Sequence, residues 1–416
     1  MEDFDGREQA GRPKMVVLAG PNGSGKSTVT RGLMEDPHFP KDRYVNADDI
    51  AKRLEQPIED AETRRRYAAV IEPNMPELPL VGKIWYMGSR MSEEQIATEL
   101  GRGVSNVDQR NGFAAILADD ARKAELRGGH DFAFETVMST QGKLAMFDEA
   151  RGKGYDVDMV FVTTESSLIN QQRVLNRVAQ GGHAVDPDKI AERYNRAMHM
   201  LPAALQMVET ASVYDNSFHT PVLIAKKERG EIVFPEVTMP TMEDMQKRPE
   251  LRKEGPLGAW YVSSMWQSDW AEAREGITGL QNRIRENVQG QQHDFDALHD
   301  RYAKADKPMA RADIQNGSET AGRVVEVTDR HVLQFDRENN RYVAHDRTLL
   351  TPGVIANLQE AQVSGKDVTI AYNYGPDSKL VDQNKTLNKT PELTQASLDQ
   401  YLFDPSSREE PKPRQM

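Results

Sequence analysis

The sequence predicts an α/β protein in which a parallel sheet flanked by helices is followed by a helical connector and a small, mainly β C-terminal domain. Three observations carry this. Short apolar runs alternate with helically spaced segments up to about residue 225, the pattern of strands joined by crossover helices. A glycine-rich loop, GPNGSGKS at 20–27, lies between the first apolar run and the first helical segment. Beyond residue 322 the hydrophobic period changes from helical to two, as half-buried strands require.

KMVVLAG (14–20) reads as a buried strand, and Val29, Leu33 and Met34 mark the helix after the loop. RYVNADDIAKRL (43–54) reads as a short strand, an acidic turn and a helix. Residues 58–127 are mostly helical in spacing and are interrupted by Pro73, Pro76 and Pro79. HDFAFETVMST (130–140) is a strand ending at Glu135, and GYDVDMVFVTTES (154–166) is a second, apolar enough for the middle of a parallel sheet. Helical spacing runs from Leu168 to Ala179, stops at Gly181-Gly182 and resumes after Pro187. ASVYDNS (211–217) and PVLIA (221–225) read as the last strands of this region. The charged, proline-punctuated stretch near 240–257 reads as a linker. Residues 258–305 read as one or two polar helices with three of the four tryptophans, and 304–322 as a second linker. RVVEV, HVLQF, RYVAH and DVTIAYNY, between 323 and 374, are strand-like runs separated by Asp, Asn and Gly. Residues 376–416 are polar, with the composition of a disordered tail.

Composition excludes several classes of chemistry. With no cysteine in 416 residues, disulfides, thiolate nucleophiles and Cys-ligated zinc are ruled out. Lys+Arg 53 against Asp+Glu 65 gives a net charge of −12, which disfavours non-specific nucleic-acid binding over the whole surface. No apolar stretch approaches the ~18 residues of a membrane span. The first fourteen residues, MEDFDGREQAGRPK, are acidic and lack the apolar segment of a secretory signal. The expectation is a cytoplasmic protein with no membrane partner.

The loop at 20–27 satisfies G-x-x-x-x-G-K-[ST] in the strand–loop–helix context that gives the pattern its meaning. Gly20, Pro21, Asn22, Gly23, Ser24, Gly25, Lys26, Ser27 and Thr28 are therefore the candidate nucleotide-binding residues. Backbone N–H groups must turn inward on a phosphate, and the following helix adds its positive end. Lys26 is expected to bridge the β- and γ-phosphates of ATP, and the Ser27 hydroxyl to ligate Mg²⁺. The second long strand ends TTES rather than in the aspartate usual for switches and motors, and no DxxG or NKxD guanine signature is present. A small-molecule phosphotransferase remains.

Such an enzyme needs a base beside the γ-phosphate and cations for the migrating charge. Asp48 follows the strand RYVNA at the sheet edge where α/β proteins bind ligands, so it is the candidate base. Asp48 and Asp49 also suit a helix N-cap. Glu135 ends its strand at the same edge and could hold Mg²⁺ through water or bind a substrate hydroxyl. Arg173 and Arg177 are four apart on one predicted helix, and Arg193 and Arg196 three apart on the next, with Gly181-Gly182-His183 between. Two arginine pairs about a glycine turn suggest a lid that closes on phosphates. His183 is a candidate substrate contact.

GPNGSGKST, VNADDIA, FAFETVMS, NRVAQGGHAVDPDKIAERYNRAM and VYDNS, in that order over about 14–240, resemble the zeta-toxin family of P-loop kinases. The resemblance implies a P-loop kinase-type sheet and transfer of the ATP γ-phosphate to a hydroxyl of a nucleotide-type metabolite. UDP-N-acetylglucosamine is the favoured acceptor, NAD or another nucleotide the alternative, and growth inhibition the consequence. It matches Lys26 to the Walker lysine, Asp48 to the base, Glu135 with Thr136 to the acceptor-binding region, and Arg177 and Arg193 to the catalytic arginines. It also implies a small antitoxin, encoded as a separate chain. The sequence departs from the family's compact members by an insertion at about 75–110, where the acceptor pocket is normally assembled. SEEQIATELGRGVSNVDQR (92–110) within it has helix-turn-helix spacing, although an elaborated substrate lid is the reading preferred for this segment. GRVVEVTDRHVLQF, YVAHDR and GKDVTIAYNYG, within about 322–375, resemble the KfrB-type domain of plasmid-encoded proteins. The His345-Asp346 pair there is read as a strand-end turn. Three other readings stay open: an ATP-dependent DNA-binding regulator of a plasmid, a catalytically quiet scaffold, and a polynucleotide 5′-kinase.

Overall fold

A computed structural model of the chain describes residues 12–75, 91–179, 185–218, 221–238, 256–315, 317–374 and 380–382. Its first unit is an α/β layer structure. Among the described residues β1 (Lys14–Ala19), β2 (Tyr44–Val45), β3 (Phe132–Thr136), β4 (Asp156–Thr163), β5 (Thr210–Asp215), β6 (Val222–Glu228) and β7 (Glu231–Val233) form a sheet of order β2-β3-β1-β4-β5-β6-β7. β1 pairs in parallel with β3 and β4, β3 with β2, and β4 with β5. The C-terminal ends of these five strands therefore share one edge. β6 and β7 extend the sheet in antiparallel fashion. The parallel sheet expected from the strand–helix alternation is formed by β1–β5, and it is extended at one side where the short connection after β5 and the tight turn Arg229-Gly230 (φ +51° and +84°) fold the chain straight back.

α1 (Lys26–Leu33), α2 (Ala47–Leu54), α6 (Gln141–Gly152), α7 (Ser167–Ala179) and α8 (Pro187–Met207) connect these strands. Phe132, Phe134, Phe147, Tyr155 and Phe161 are fully buried in the main core. α3 (Ala61–Ile71), α4 (Glu93–Arg102) and α5 (Val107–Gly128) form a helical layer between α2 and β3. It has its own core of Leu54, Ile71, Ile96, Leu100, Val104 and Phe113. A capping box between Ser92 and Gln95 starts α4. In the helix-turn-helix-like segment, Arg110 pairs with Glu55 at 2.8 Å and donates to the Val104 carbonyl at 3.0 Å, while Glu93, Glu94 and Asp108 are exposed. That face offers carboxylates to a phosphate backbone. Residues 76–90 of the insertion lie outside the described part.

α9 (Pro256–Tyr302) is one continuous helix. Its Ile277, Leu280, Ile284 and Val288 are buried in the same apolar cluster as the first sheet. Further along, Leu298 packs with Leu333 and Ala344 of the second sheet. That sheet has the order β12-β9-β10-β11-β8, formed by β8 (Met309–Arg311), β9 (Glu319–Val327), β10 (His331–Asp336), β11 (Arg341–Asp346) and β12 (Asp367–Ala371). Two features differ from the sequence expectation. The linker expected at 304–322 holds β8 and the start of β9, because the short run MAR pairs in parallel with β11. PGVIANLQEAQVS forms a helix, α10 (Pro352–Ser364), started by a Thr351 cap and stopped by Gly365 at φ +68°. The tail from 376 lies outside the described residues except 380–382, which pair as β14 with β13 (Asn373–Tyr374). The expected linker near 240–257 is likewise largely outside them.

His345 belongs to the C-terminal core. It is fully buried, with Nδ1 2.9 Å from the Tyr372 hydroxyl and Nε2 3.1 Å from Gln334 Oε1. Burial, with the neighbouring His331 second, pushes its pKa down to about 3. Asp346 instead caps the next turn by accepting from the Thr348 N–H at 2.8 Å and accepts from Gln291 of α9 at 3.2 Å. A histidine held neutral in the fold but free to protonate when unfolded makes stability fall as pH drops from about 6.5 toward 3, by at most about 1.4 kcal/mol per pH unit. Thermal unfolding of the full chain and of a His345→Gln variant between pH 7 and pH 5 checks this: the stability advantage of the unmodified chain should shrink as the pH falls.

Candidate nucleotide and phosphotransfer site

β1 delivers the chain at Ala19 into the 20–27 loop between β3 and β4. Gly23 and Gly25 adopt φ values of +77° and +91°. A Cβ on Gly23 would lie 2.5 Å from the Asn170 carbonyl oxygen, and one on Gly25 2.2 Å from Asn216 Nδ2. Only glycine satisfies both the backbone conformation and the space. Asn216 Nδ2 donates to the Ser24 carbonyl at 2.8 Å, and Lys26 Nζ to the Pro21 carbonyl at 3.1 Å. The loop is thus braced from β5 on one side and folded over its own lysine on the other.

Lys26 is buried and lies 3.8 Å from Glu135 Oε1. Burial pushes its pKa down, opposed by the Glu135 and Asp48 carboxylates and reinforced by the Arg177 cation. Glu135 Oε2 accepts from the Tyr44 hydroxyl at 3.0 Å and from Asn46 Nδ2 at 3.5 Å, and Asn46 Nδ2 also reaches the Tyr44 oxygen at 3.3 Å. Burial and the Glu135 charge push the Tyr44 phenol up, so it stays a donor. Glu135 is fixed by hydrogen bonds on one oxygen and faces the lysine with the other.

Asn46 caps α2 by accepting the Asp48 N–H at 2.9 Å. The aspartate cap considered from sequence is corrected: an amide just before the aspartates takes that role because it alone is at the extended residue preceding the helix. Asp48 and Asp49 occupy the exposed first turn, where the helix dipole favours carboxylates. Arg193 of α8 donates to Asn22 Oδ1 at 3.4 Å. Its pKa is lowered by burial first and by Arg196 next, while Glu192 and Asp48 act in the opposite direction. Arg173 of α7 donates to the Asn216 carbonyl at 2.7 Å, bracing the brace. Arg196 is engaged by Glu192 one turn earlier in α8. The Thr136 hydroxyl accepts from the Met138 N–H at 3.1 Å, ordering the turn after β3. Ser27 is exposed in the first turn of α1, and Thr28 donates its N–H to the Gly25 carbonyl at 3.1 Å. His183 lies outside the described residues.

The 20–28 loop thus meets Glu135 and Arg193 directly at the sheet edge, with Asp48 and Arg177 within electrostatic range of Lys26. Sequence reasoning missed Tyr44, Asn46, Asn170 and Asn216. Asn46 and Asn216 had a signal, since each follows a strand at the ligand-binding edge; Asn170 acts through its backbone and had none. It also missed a buried charge cluster between α5 and α6, where Asp119 meets Arg122 at 3.1 Å, Lys123 at 2.8 Å and Lys143 at 3.5 Å. Burial, followed by the Arg122 cation, pushes Lys143 down to about 7.

Residues 319–376 match the KfrB Domain family, which agrees with the resemblance seen in the C-terminal strands. Among curated proteins none matches the chain. Among solved structures, one from the PezAT chromosomal toxin–antitoxin system of Streptococcus pneumoniae aligns with a TM-score of 0.32 and 14% identity over 68% of this chain and 91% of the other. The AvrRxo1-ORF1:-ORF2 complex with ATP aligns with a TM-score of 0.32 and 12% identity over 67% and 80%. The native AvrRxo1-ORF1:-ORF2 complex gives 0.30 and 11% over 65% and 80%. Likeness at this level carries no argument about activity, so function rests on the site itself.

The crowding at Gly23 gives a direct test. Gly23→Ala places a methyl against backbone rather than a movable side chain. It should weaken Mg²⁺·ATP binding by about tenfold or more and lower the melting temperature by several degrees, the strain at such a position being of order 1–3 kcal/mol. Isothermal titration with ATP, alongside thermal unfolding, measures both.

Proposed function

We propose that this chain is an ATP-dependent small-molecule kinase of the zeta-toxin type. It transfers the γ-phosphate to a hydroxyl of a nucleotide-type metabolite, with UDP-N-acetylglucosamine the first acceptor to test. The observation that supports the reading is a buried Walker-type lysine, Lys26, paired with Glu135 in a glycine loop that Arg193 also contacts, with Asp48 and Arg177 within electrostatic range. A scaffold has no need of a lysine desolvated beside two carboxylates and two arginines, whereas phosphoryl transfer needs each part.

In this mechanism the inward N–H groups of 20–27 and Lys26 hold the β- and γ-phosphates. Arg177 and Arg193 offset the charge that spreads over the transferring phosphoryl oxygens. Asp48 accepts the acceptor's hydroxyl proton as that oxygen bonds to the γ-phosphorus and the bond to ADP breaks. Glu135, its Oε2 held by Tyr44 and Asn46, faces Lys26 with Oε1, and a remaining lone pair of that oxygen accepts from the acceptor's hydroxyl. Thr136, Arg173, Arg196 and His183 belong to the surrounding acceptor and lid region in this reading. Among the described residues no cluster of three or more His, Asp or Glu side chains forms a metal cage. The fitting protein donor is the Ser27 hydroxyl, exposed beside Lys26, which suits Mg²⁺ arriving on the phosphates with most of its ligands from them and from water. Bound there, Mg²⁺ would neutralise phosphate charge. Growth arrest of the producing cell, relieved by a separate antitoxin chain, is the physiological role this chemistry would serve.

Incubation with Mg²⁺·ATP and either UDP-N-acetylglucosamine or NAD, with product mass as readout, tests the reading. The expected result is a gain of one phosphate on one acceptor, reduced about 10²–10⁴-fold by Asp48→Asn. A gain on NAD instead of the sugar nucleotide would keep the mechanism and change the acceptor. Transfer to neither, or transfer that survives Asp48→Asn, would overturn it.

A further inference from the structure

α9 touches the nucleotide loop's support. Arg283 Nη2 donates to the Glu165 carbonyl at 3.2 Å. The Glu165 carboxylate lies over Gly276 so closely that a Cβ there would sit 2.3 Å from Oε2. The Glu165 N–H in turn donates to Ser217 Oγ at 2.6 Å, and the Ser217 N–H to Asp215 Oδ1 at 2.7 Å. Between those two residues stands Asn216, whose N–H donates to the Thr163 carbonyl and whose side chain holds the Ser24 carbonyl, both at 2.8 Å. Trp270 of α9 packs edge-on against Phe218, ring centres 5.6 Å apart. Buried Gln281 of α9 donates to the Ile224 carbonyl at 2.8 Å and the Pro235 carbonyl at 2.7 Å, gripping both sides of the β6–β7 hairpin.

We infer that α9 positions the 215–218 turn, so that Asn216 and through it the Ser24–Gly25 stretch of the phosphate loop depend on Arg283 and Gln281 for nucleotide affinity. None of these α9 residues is placed to touch ATP; Arg283 acts through Glu165, Ser217 and Asn216, and Gln281 by holding the β6–β7 hairpin that pairs with β5, so both are positioning residues. The energetics favour coupling over independent contacts. Asn216 is buried against a glycine with no slack, so a small shift of its turn moves Nδ2 into Gly25 or away from the Ser24 carbonyl. Because the same helix carries Leu298 on the second sheet, the C-terminal domain is mechanically joined to the nucleotide loop.

The inference rests on the P-loop reading, and the full chain tests both with ATP titration and steady-state transfer. Arg283→Ala and Gln281→Met should each raise the ATP Kd and KM about three- to tenfold, the scale of one lost hydrogen bond, with kcat within about twofold. Arg283→Lys, which keeps a donor, should recover most of the loss. Asn216→Ala should raise Kd further, and adding Arg283→Ala to it should change little, because both act on the same bond. If the unmodified chain binds no ATP, the P-loop reading falls and takes this inference with it. If it binds ATP and the α9 variants match it, or if their effects add to that of Asn216→Ala, only the positioning role of α9 is overturned. A lower melting temperature at unchanged Kd would mean a purely structural contact and would overturn it equally.

Discussion

The bond from Asn216 to the Ser24 carbonyl is the interaction on which the rest of the site depends. A phosphate loop must aim several N–H groups inward at once, so its carbonyls are forced outward into protein and need donors. Asn216 supplies one at 2.8 Å, and the Gly23 backbone rests on the Asn170 carbonyl on the opposite side. Asn216 comes from the turn after β5, and Asn170 from the first turns of α7, the helix that follows β4. Each can reach the loop because β1 has β4 beside it and β5 one strand further on. Sheet order and loop geometry are thus one constraint: a different order would leave the Ser24 carbonyl without its donor.

The acceptor side obeys the same logic with charge in place of shape. Burial pushes the Lys26 ammonium down from the usual lysine range, and the Glu135 and Asp48 carboxylates oppose that shift. Glu135 is itself kept from collapsing fully onto the lysine by Tyr44 and Asn46, which hold its second oxygen. The outcome is a pair separated by 3.8 Å, loose enough for a phosphate to compete for the lysine. The buried Asp119–Arg122–Lys143 group behind β3 carries more cation than anion, and Arg122 also lies 5.3 Å over the Phe134 ring.

α9 changes the meaning of the C-terminal third. Its polar composition reads as a connector, yet Ile277, Leu280, Ile284 and Val288 place an i, i+3, i+7, i+11 stripe into the first unit's core. The same stripe runs on to Leu298, which packs on Leu333 of the second sheet, while Asp294 beside it meets His331 at 2.7 Å. A helix packed against both sheets transmits displacement, whereas a flexible linker would not.

The sequence by itself determined the order of strands and helices in the first unit, the phosphate loop, and the edge on which Asp48 and Glu135 stand. Those features are local: a glycine pattern, a strand period, and a parallel sheet that sends every strand end the same way. It also carried the C-terminal strand pattern of 323–371, because alternation shows in any single strand. Only the tertiary structure decided the rest. That Asn46 rather than an aspartate caps α2, that β6 and β7 run antiparallel, and that MAR pairs with β11 each depend on what lies across the sheet or beside the helix. Whether an arginine serves the loop, as Arg193 does through Asn22, or a neighbouring acid, as Arg196 does through Glu192, is set by rotation about one helix axis. The partners of Asn216, Glu165 and Arg283 are separated by 50 to nearly 200 positions along the chain. No local period encodes such contacts, because they arise only when buried polar groups must find partners in the packed interior.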